Sequence, residues 1–316
     1  MSSAHTIGVD VGGTKIAAGL VDEDGRLLAT ERTESPAKHP DEIVRAIGTL
    51  VERLRRGAEV EAVGVSAAGF VDKARATVLF APNLAWRDEP LKDLLEKETG
   101  LPVVVENDAN AAAWGEFVFG AGADIDDLLM ITIGTGVGGG VVLDGELMRG
   151  GFGIAAEVGH IRMVPDGVPC GCGNNGCLES YASGRALVRR SREEAADDPT
   201  AAAAVLAEAG GTIDGITGPL VTAAAKRGDP FAVARYVELG DWLGHGLAVL
   251  AAVLDPTLVV VGGGVSEAGE LLLEPARRAF EANVTGHGHR PLLEIRQAQL
   301  GNAGGMVGAA DLARRP

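Results

Sequence analysis

The chain's only three cysteines, Cys170, Cys172 and Cys177, sit within eight residues of one another. An odd number in so short a window cannot be a disulfide framework. With His160 ten residues upstream of the first, they offer three thiolates and one imidazole, the donors and the tetrahedral count that zinc takes. Protein would fill all four positions, so such an ion would be structural, with no place for a reactive water. The alternative is three free thiols beside a core histidine. Glu157 lies three residues before His160, and Glu179 two residues after Cys177. An imidazole bound to metal through one nitrogen keeps a donor on the other, which could serve a sugar hydroxyl while the two carboxylates accept from its neighbours. Read blandly, the glutamates are solvated loop charges or supports for the ligands.

Asn107 and Asp108 form a second constellation, one residue after the apolar run VVV and directly before the Ala-rich stretch ANAAAWGEFVFG. At a strand end that opens a helix they could be caps and nothing more. The same position also suits a general base that takes the proton of an attacking hydroxyl in phosphoryl transfer.

Glycine turns are the third signal: DVGGTK (Asp10 to Lys15), IGTGVGGG (Ile133 to Gly140) and GGGVS (Gly262 to Ser266) each follow an apolar strand. Backbone N–H groups in such turns can cradle phosphate oxygens, although a tight hairpin needs glycine with or without a ligand. The first is not a P-loop, because Thr14 stands where that motif has lysine. Gly134, Gly136 and Gly139 have the dinucleotide-binding spacing, but the run leads into VVLDGEL, a strand and turn, where that fingerprint must open a helix.

These residues need elements to hold them. The opening TIGVDVGGTKIAAGLVDEDGRLLATE reads as three antiparallel strands with turns at Gly12-Gly13 and Asp24-Gly25. Apolar positions from Asp41 to Arg56 repeat at helical spacing, with Asp41 as N-cap. Strands follow at Val60 to Ser66 and Leu101 to Val105, a helix from about Phe231 to Leu254, a strand at LVVVGGGVS, a helix from about Glu267 to Phe280, and a short C-terminal helix. IGVDVGGTKIAAGLVDEDG and ITIGTGVGGGVVLDG share one grammar about 120 residues apart, a duplicated hairpin that implies two related domains. We expect a small α/β lobe at residues 1–108, joined by a returning C-terminal helix at about 302–316, and a large α/β lobe with the cysteine window at 109–301. The ligands are expected in a cleft between them.

The 316 residues are 46% apolar and 23% charged, the composition of a globular protein. A net charge of −16 argues against nucleic acid as a partner. Any anionic ligand must be held by a local device. No stretch reaches the roughly 20 uninterrupted apolar residues of a membrane span, and no basic start precedes an apolar run, so a cytoplasmic protein is expected. His287 and His289 read as solvated loop residues, and Trp86, Trp114 and Trp242 as packing residues.

DVGGTK, ENDANAAAWGE, IGTGVGGG, EVGH, CGCGNNGCLE and VVVGGGVS, in this order and nearly end to end, resemble the ROK family of sugar kinases and sugar-responsive repressors, specifically its ATP-dependent glucokinases. The resemblance implies an α/β, actin-like ATPase (ribonuclease H-like) fold and 6-phosphorylation of D-glucose by ATP. It implies that Asp108 is the base, that Asn107, Glu157, His160 and Glu179 bind the sugar with Asn83 beside them, and that His160, Cys170, Cys172 and Cys177 hold structural zinc. Asp10 would hold Mg²⁺ through water; Gly12, Gly13, Thr14, Lys15, Gly134, Thr135 and Gly136 would cradle the phosphates; Gly262, Gly263 and Gly264 would line the adenosine. A dimer or tetramer is implied as well. Only nine residues precede Asp10, too few for a helix-turn-helix domain, which argues against a repressor. Kinases for mannose, fructose or N-acetylmannosamine, and a non-catalytic sugar sensor, are the competing readings.

Overall fold

The computed structural model describes residues 5–315; residues 1–4 and Pro316, the outer ends of the expected first lobe, lie outside that range. In chain order the elements are β1 (His5–Val11), β2 (Lys15–Val21), β3 (Leu27–Glu34), α1 (Pro40–Leu54), β4 (Val60–Ala67), β5 (Phe70–Val71), β6 (Val78–Phe80), β7 (Arg87–Glu89), α2 (Leu91–Thr99), β8 (Val103–Asn107) and α3 (Asp108–Phe119). Then come β9 (Leu128–Ile133), β10 (Val137–Leu143), β11 (Glu146–Leu147), α4 (Glu179–Ala182), α5 (Gly184–Asp197), α6 (Ala203–Glu208), α7 (Gly218–Lys226), α8 (Pro230–Leu254), β12 (Leu258–Gly262), α9 (Glu270–Asn283), β13 (Glu294–Gln297) and α10 (Gly304–Arg314).

The duplication expected from the two hairpins extends to whole sheets. One sheet has the order β3-β2-β1-β4-β8 and the other β11-β10-β9-β12-β13. In each, a three-strand meander is followed by strands that need a crossover. β1 pairs antiparallel with β2 and parallel with β4, and β12 runs parallel to β13. β5, β6 and β7 form a small separate sheet.

The chain divides into two compact units: residues 1–130, 139–156 and 298–316 in the first, residues 131–138 and 157–297 in the second. The first therefore takes in more than residues 1–108 and their returning helix. Its core packs α1 and α2 on the strands around Ile7, Ile43, Ile47, Val65 and Trp86, all fully buried. Asp41 falls inside the first turn of α1, with Pro40 opening the helix and His39 at the cap. A proline at that point costs nothing, because its missing N–H has no helical partner there.

α10 lies against β1 and β4 with no room for side chains between: a Cβ on Gly8 would sit 1.9 Å from the Met306 carbonyl oxygen, and one on Gly64 1.8 Å from that of Ala309. Trp114 Nε1 on α3 donates to Asp311 Oδ2 on α10 at 2.8 Å. In the second unit, α8 packs against α9. Among the described residues α8 is the one helix whose length and apolarity would allow a membrane crossing, and half of its most apolar stretch is buried.

Candidate active site

In the first unit, β8 ends at Asn107, whose extended backbone (φ −62°, ψ 146°) makes it the cap of α3. Its Oδ1 accepts from the N–H groups of Ala109 and Asn110, both at 3.0 Å. Its Nδ2 donates to the Gly69 carbonyl at 3.0 Å and to Asp108 Oδ1 at 3.1 Å. All four hydrogen-bonding positions of the amide are engaged within the protein. The cap is thus also a brace: Asp108 Oδ1 is held by Asn107 and by the N–H of Ala109 at 3.0 Å.

Asp10 lies opposite Ser66 in the β1–β4 register and accepts from its hydroxyl at 3.2 Å. Burial pushes the Asp10 carboxyl above its ordinary range, opposed by the Ser66 bond and by Lys15. Gly305, near the start of α10, lies over the Asp10 carboxylate and the backbone of Asp108: a Cβ there would lie 3.1 Å from Ser66 Oγ and 3.8 Å from both Asp10 Oδ1 and the Asp108 carbonyl oxygen. The first glycine turn closes with Gly12 N–H donating to the Lys15 carbonyl at 3.0 Å, leaving Thr14 and Lys15 exposed. Asn83 packs on this turn, since a Cβ on Gly13 would meet Asn83 Cβ at 3.0 Å.

In the second unit, one ligand atom from each of His160, Cys170, Cys172 and Cys177 can be chosen so that all lie within 4.8 Å of one another. Zinc–sulfur bonds of ~2.3 Å and zinc–nitrogen bonds of ~2.0 Å at tetrahedral angles separate ligands by about 3.5–3.8 Å. Cys170 Sγ lies 3.6 Å from His160 Nδ1, and Cys172 Sγ 3.7 Å from Cys177 Sγ, so the donor set fits that ion. Burial and the two neighbouring thiols push Cys177 up to about 12, a crowding that a bound cation would relieve. Since Nδ1 faces the thiols, Nε2 is the imidazole nitrogen left for other work, 3.8 Å from Glu157 Oε2. Burial, reinforced by Glu179 and opposed by His160, holds the Glu157 carboxyl above its usual range. Ala156, directly before it, has left-handed backbone (φ 67°), a conformation that costs a side-chain-bearing residue about 1–3 kcal/mol.

Glu179 is tied to the second glycine turn. Its Oε2 accepts from the N–H of Val137 at 3.0 Å, and a Cβ on Gly136 would lie 2.1 Å from that oxygen. Arg185, at the start of α5, donates to Glu179 Oε1 at 2.9 Å and to the Thr135 carbonyl at 3.2 Å. One carboxylate expected to serve a sugar is therefore built into a turn expected to serve phosphates.

Beside this turn lies a cavity of about 1100 Å³ within the second unit, lined by Gly134 and Thr135, by α5 from Gly184 to Glu193, by α7 from Gly218 to Lys226, and by Gly264, Val265 and Glu267. Of the third glycine cluster, Gly264 lines it, Gly262 ends β12, and Gly263 (φ 83°) sits over the backbone of Ile133. The apolar wall of Leu187, Val188 and Pro219 and the cations Arg185, Arg189, Arg192 and Lys226 were not singled out from sequence. Those on α5 recur at helical spacing, but Pro219 and Lys226 belong to α7, and nothing in the sequence tells that these two helices line one cavity.

Residues 6–316 match the family model described as ROK. The chain is 54% identical to the glucokinase of Streptomyces coelicolor over 311 residues, 98% of each chain. To the glucokinase of Halalkalibacterium halodurans it is 37% identical, over 100% of this chain and 96% of that one. Among solved structures, a ROK family glucokinase from Streptomyces griseus in complex with glucose and AMPPNP superposes with a TM-score of 0.90 at 56% identity, covering 99% of this chain and 100% of the other. With its duplicated sheets, its thiolate and imidazole cluster and this agreement along the whole length, the chain belongs to the ROK family and has that family's actin-like ATPase fold.

Proposed function

We propose that this chain transfers the γ-phosphoryl group of ATP to the 6-hydroxyl of D-glucose, giving glucose 6-phosphate and ADP. The observation that carries this is the full-length match to a glucokinase solved with glucose and an ATP analogue. Asp108 accepts the proton of the 6-hydroxyl as its oxygen bonds to phosphorus and the bridge to ADP breaks. Two donors on Asp108 Oδ1 fix the plane of the carboxylate, which supports this role. Asn107 orients that base, and Asn83 serves as a further sugar contact. His160, through Nε2, and the carboxylates of Glu157 and Glu179 hold the remaining hydroxyls.

The turns Gly12–Lys15 and Gly134–Gly136 present N–H groups to the phosphates, and Gly262–Gly264 with the α5 and α7 cavity take the adenosine. Asp10 would hold Mg²⁺, which would neutralise phosphate charge. Zinc on His160, Cys170, Cys172 and Cys177 supplies rigidity alone, because those four residues saturate it. On this reading the protein works in the cytoplasm as a homo-oligomer, which sedimentation of the purified chain tests.

A coupled ADP-release assay across hexoses and N-acetylmannosamine, with ATP, GTP and polyphosphate as donors, tests the activity; glucose with ATP should give the highest kcat/KM. Asp108→Asn should lower kcat by about 100-fold or more with the fold and zinc content unchanged. Full activity in that variant would remove Asp108 from the role of base.

A further inference from the structure

Glu106 immediately precedes the Asn107-Asp108 pair, on a strand otherwise read as apolar, and its side chain is 3% exposed. A carboxylate is costly to bury unless it is paired and hydrogen-bonded. Two guanidiniums from separate segments meet it. Arg149 Nε, from the stretch after β11, lies 2.7 Å from Glu106 Oε2, and Arg75 Nε lies 3.8 Å from the same oxygen. Arg75 itself has left-handed backbone (φ 59°) and donates to the Leu312 carbonyl at the end of α10 at 2.9 Å.

The other oxygen, Oε1, faces the helix start. It accepts from the Asn107 N–H at 3.1 Å and from Asn110 Nδ2 at 3.2 Å. The contacts thus run without a break from Arg149 through Glu106 to the backbone of Asn107 and the side chain of Asn110, then through the Asn107 amide to Asp108 Oδ1. Stability alone gives little reason for this arrangement, since a buried ion pair replaced by well-packed apolar side chains is often as stable or more so. Orientation of the residues that follow Glu106 is what the charges provide and an apolar side chain would not.

We propose that Glu106, clamped by Arg149 and Arg75, is a positioning residue that sets the orientation of Asp108 for the phosphoryl transfer. This rests on the reading of Asp108 as the base. Displacement of a reacting group by about 1 Å can cost on the order of 100-fold in rate.

The test compares full-length wild type, Glu106→Gln, Arg149→Lys and the double variant Glu106→Gln with Arg149→Gln. Steady-state kinetics with glucose and ATP, calorimetric AMPPNP affinity and Tm are measured for each. Glu106→Gln should lower kcat about 10- to 100-fold, while AMPPNP affinity stays within about twofold, because the α5 and α7 cavity does not touch Glu106. The double variant, which removes the nearer of the two guanidiniums left without their carboxylate, should regain Tm over Glu106→Gln and keep the low kcat. If kcat rises and falls with Tm across the series, or if Glu106→Gln keeps kcat within twofold of wild type, the positioning role is wrong. Should Glu106→Gln not fold, Arg149→Lys carries the comparison, with lowered kcat at unchanged Tm expected and unchanged kcat fatal. An active Asp108→Asn enzyme would instead overturn the base; an inactive one beside an unaffected Glu106→Gln overturns this inference alone.

Discussion

The four residues of the thiolate clasp are not equivalent: Cys177 is buried, Cys170 and His160 are half-buried, and Cys172 is exposed. Removing the exposed ligand leaves no core cavity, so its effect reads the metal rather than the packing. Cys172→Ala should drop zinc, measured by elemental analysis, well below one ion per chain and raise the KM for glucose about tenfold, since even outer partners of a metal site change affinity by about 10- to 100-fold. Unchanged zinc content, or lost zinc with unchanged KM, would separate the clasp from the sugar. At this scale the sequence was most informative where residues are close in the chain: Cys170, Cys172 and Cys177 announce a cluster by spacing, and Asn107-Asp108 a helix start by standing between an apolar run and an Ala-rich stretch. It was silent on Glu106, because the arginines that make a buried carboxylate tolerable there, Arg75 and Arg149, stand 31 residues before it and 43 after it.

Elements hold these residues by approaching closely, most of all where α10 crosses β1 and β4. Gly64→Ala would set a methyl group 1.8 Å from the Ala309 carbonyl oxygen, a backbone atom that only a shift of the helix can move. Overpacking usually costs about 1–3 kcal/mol, and more where backbone must give way. Calorimetry should show the first unfolding transition lowered by at least about 5 °C. Gly151→Ala, where a Cβ meets nothing within 4 Å, is the control and should leave it in place. Equal Tm values for the two variants would deny that α10 seats on the bare sheet. The longer strands were readable from apolar runs and glycine punctuation, and the helix at α8 from its apolar stretch; the short β5, β6, β7, β11 and β13 were not, because two to four residues carry no pattern. α10 was expected to return to the first lobe, but not the face it seats on, since that face is chosen by Gly8 and Gly64, whose meaning depends on what lies across from them. The start of α1 was misplaced for a local reason: Asp41 looks like a cap, but proline fits the first helical turn so well that the helix opens before it.

Across the whole molecule the charge is −16, and the nucleotide is an anion as well. The cavity lining carries Arg185, Arg189, Arg192 and Lys226 against Glu193 and Glu267, but Arg189 is paired with Glu193 and Arg185 with Glu179. Nearby charges therefore offset one another in part, and an approaching nucleotide first meets the field of the entire chain. That field reaches about 30 Å at 0.01 M salt and about 10 Å at 0.1 M, so salt weakens the distant repulsion far more than contacts inside the cavity. Association of a fluorescent ATP analogue, followed by stopped flow, should accelerate severalfold over this range, while glucose, being neutral, binds at an unchanged rate. This is the opposite of the usual loss when an anion meets a basic surface. A slower rate at higher salt would mean that the arginines around α5 steer the nucleotide from a distance and that the net charge read from composition does not govern its arrival.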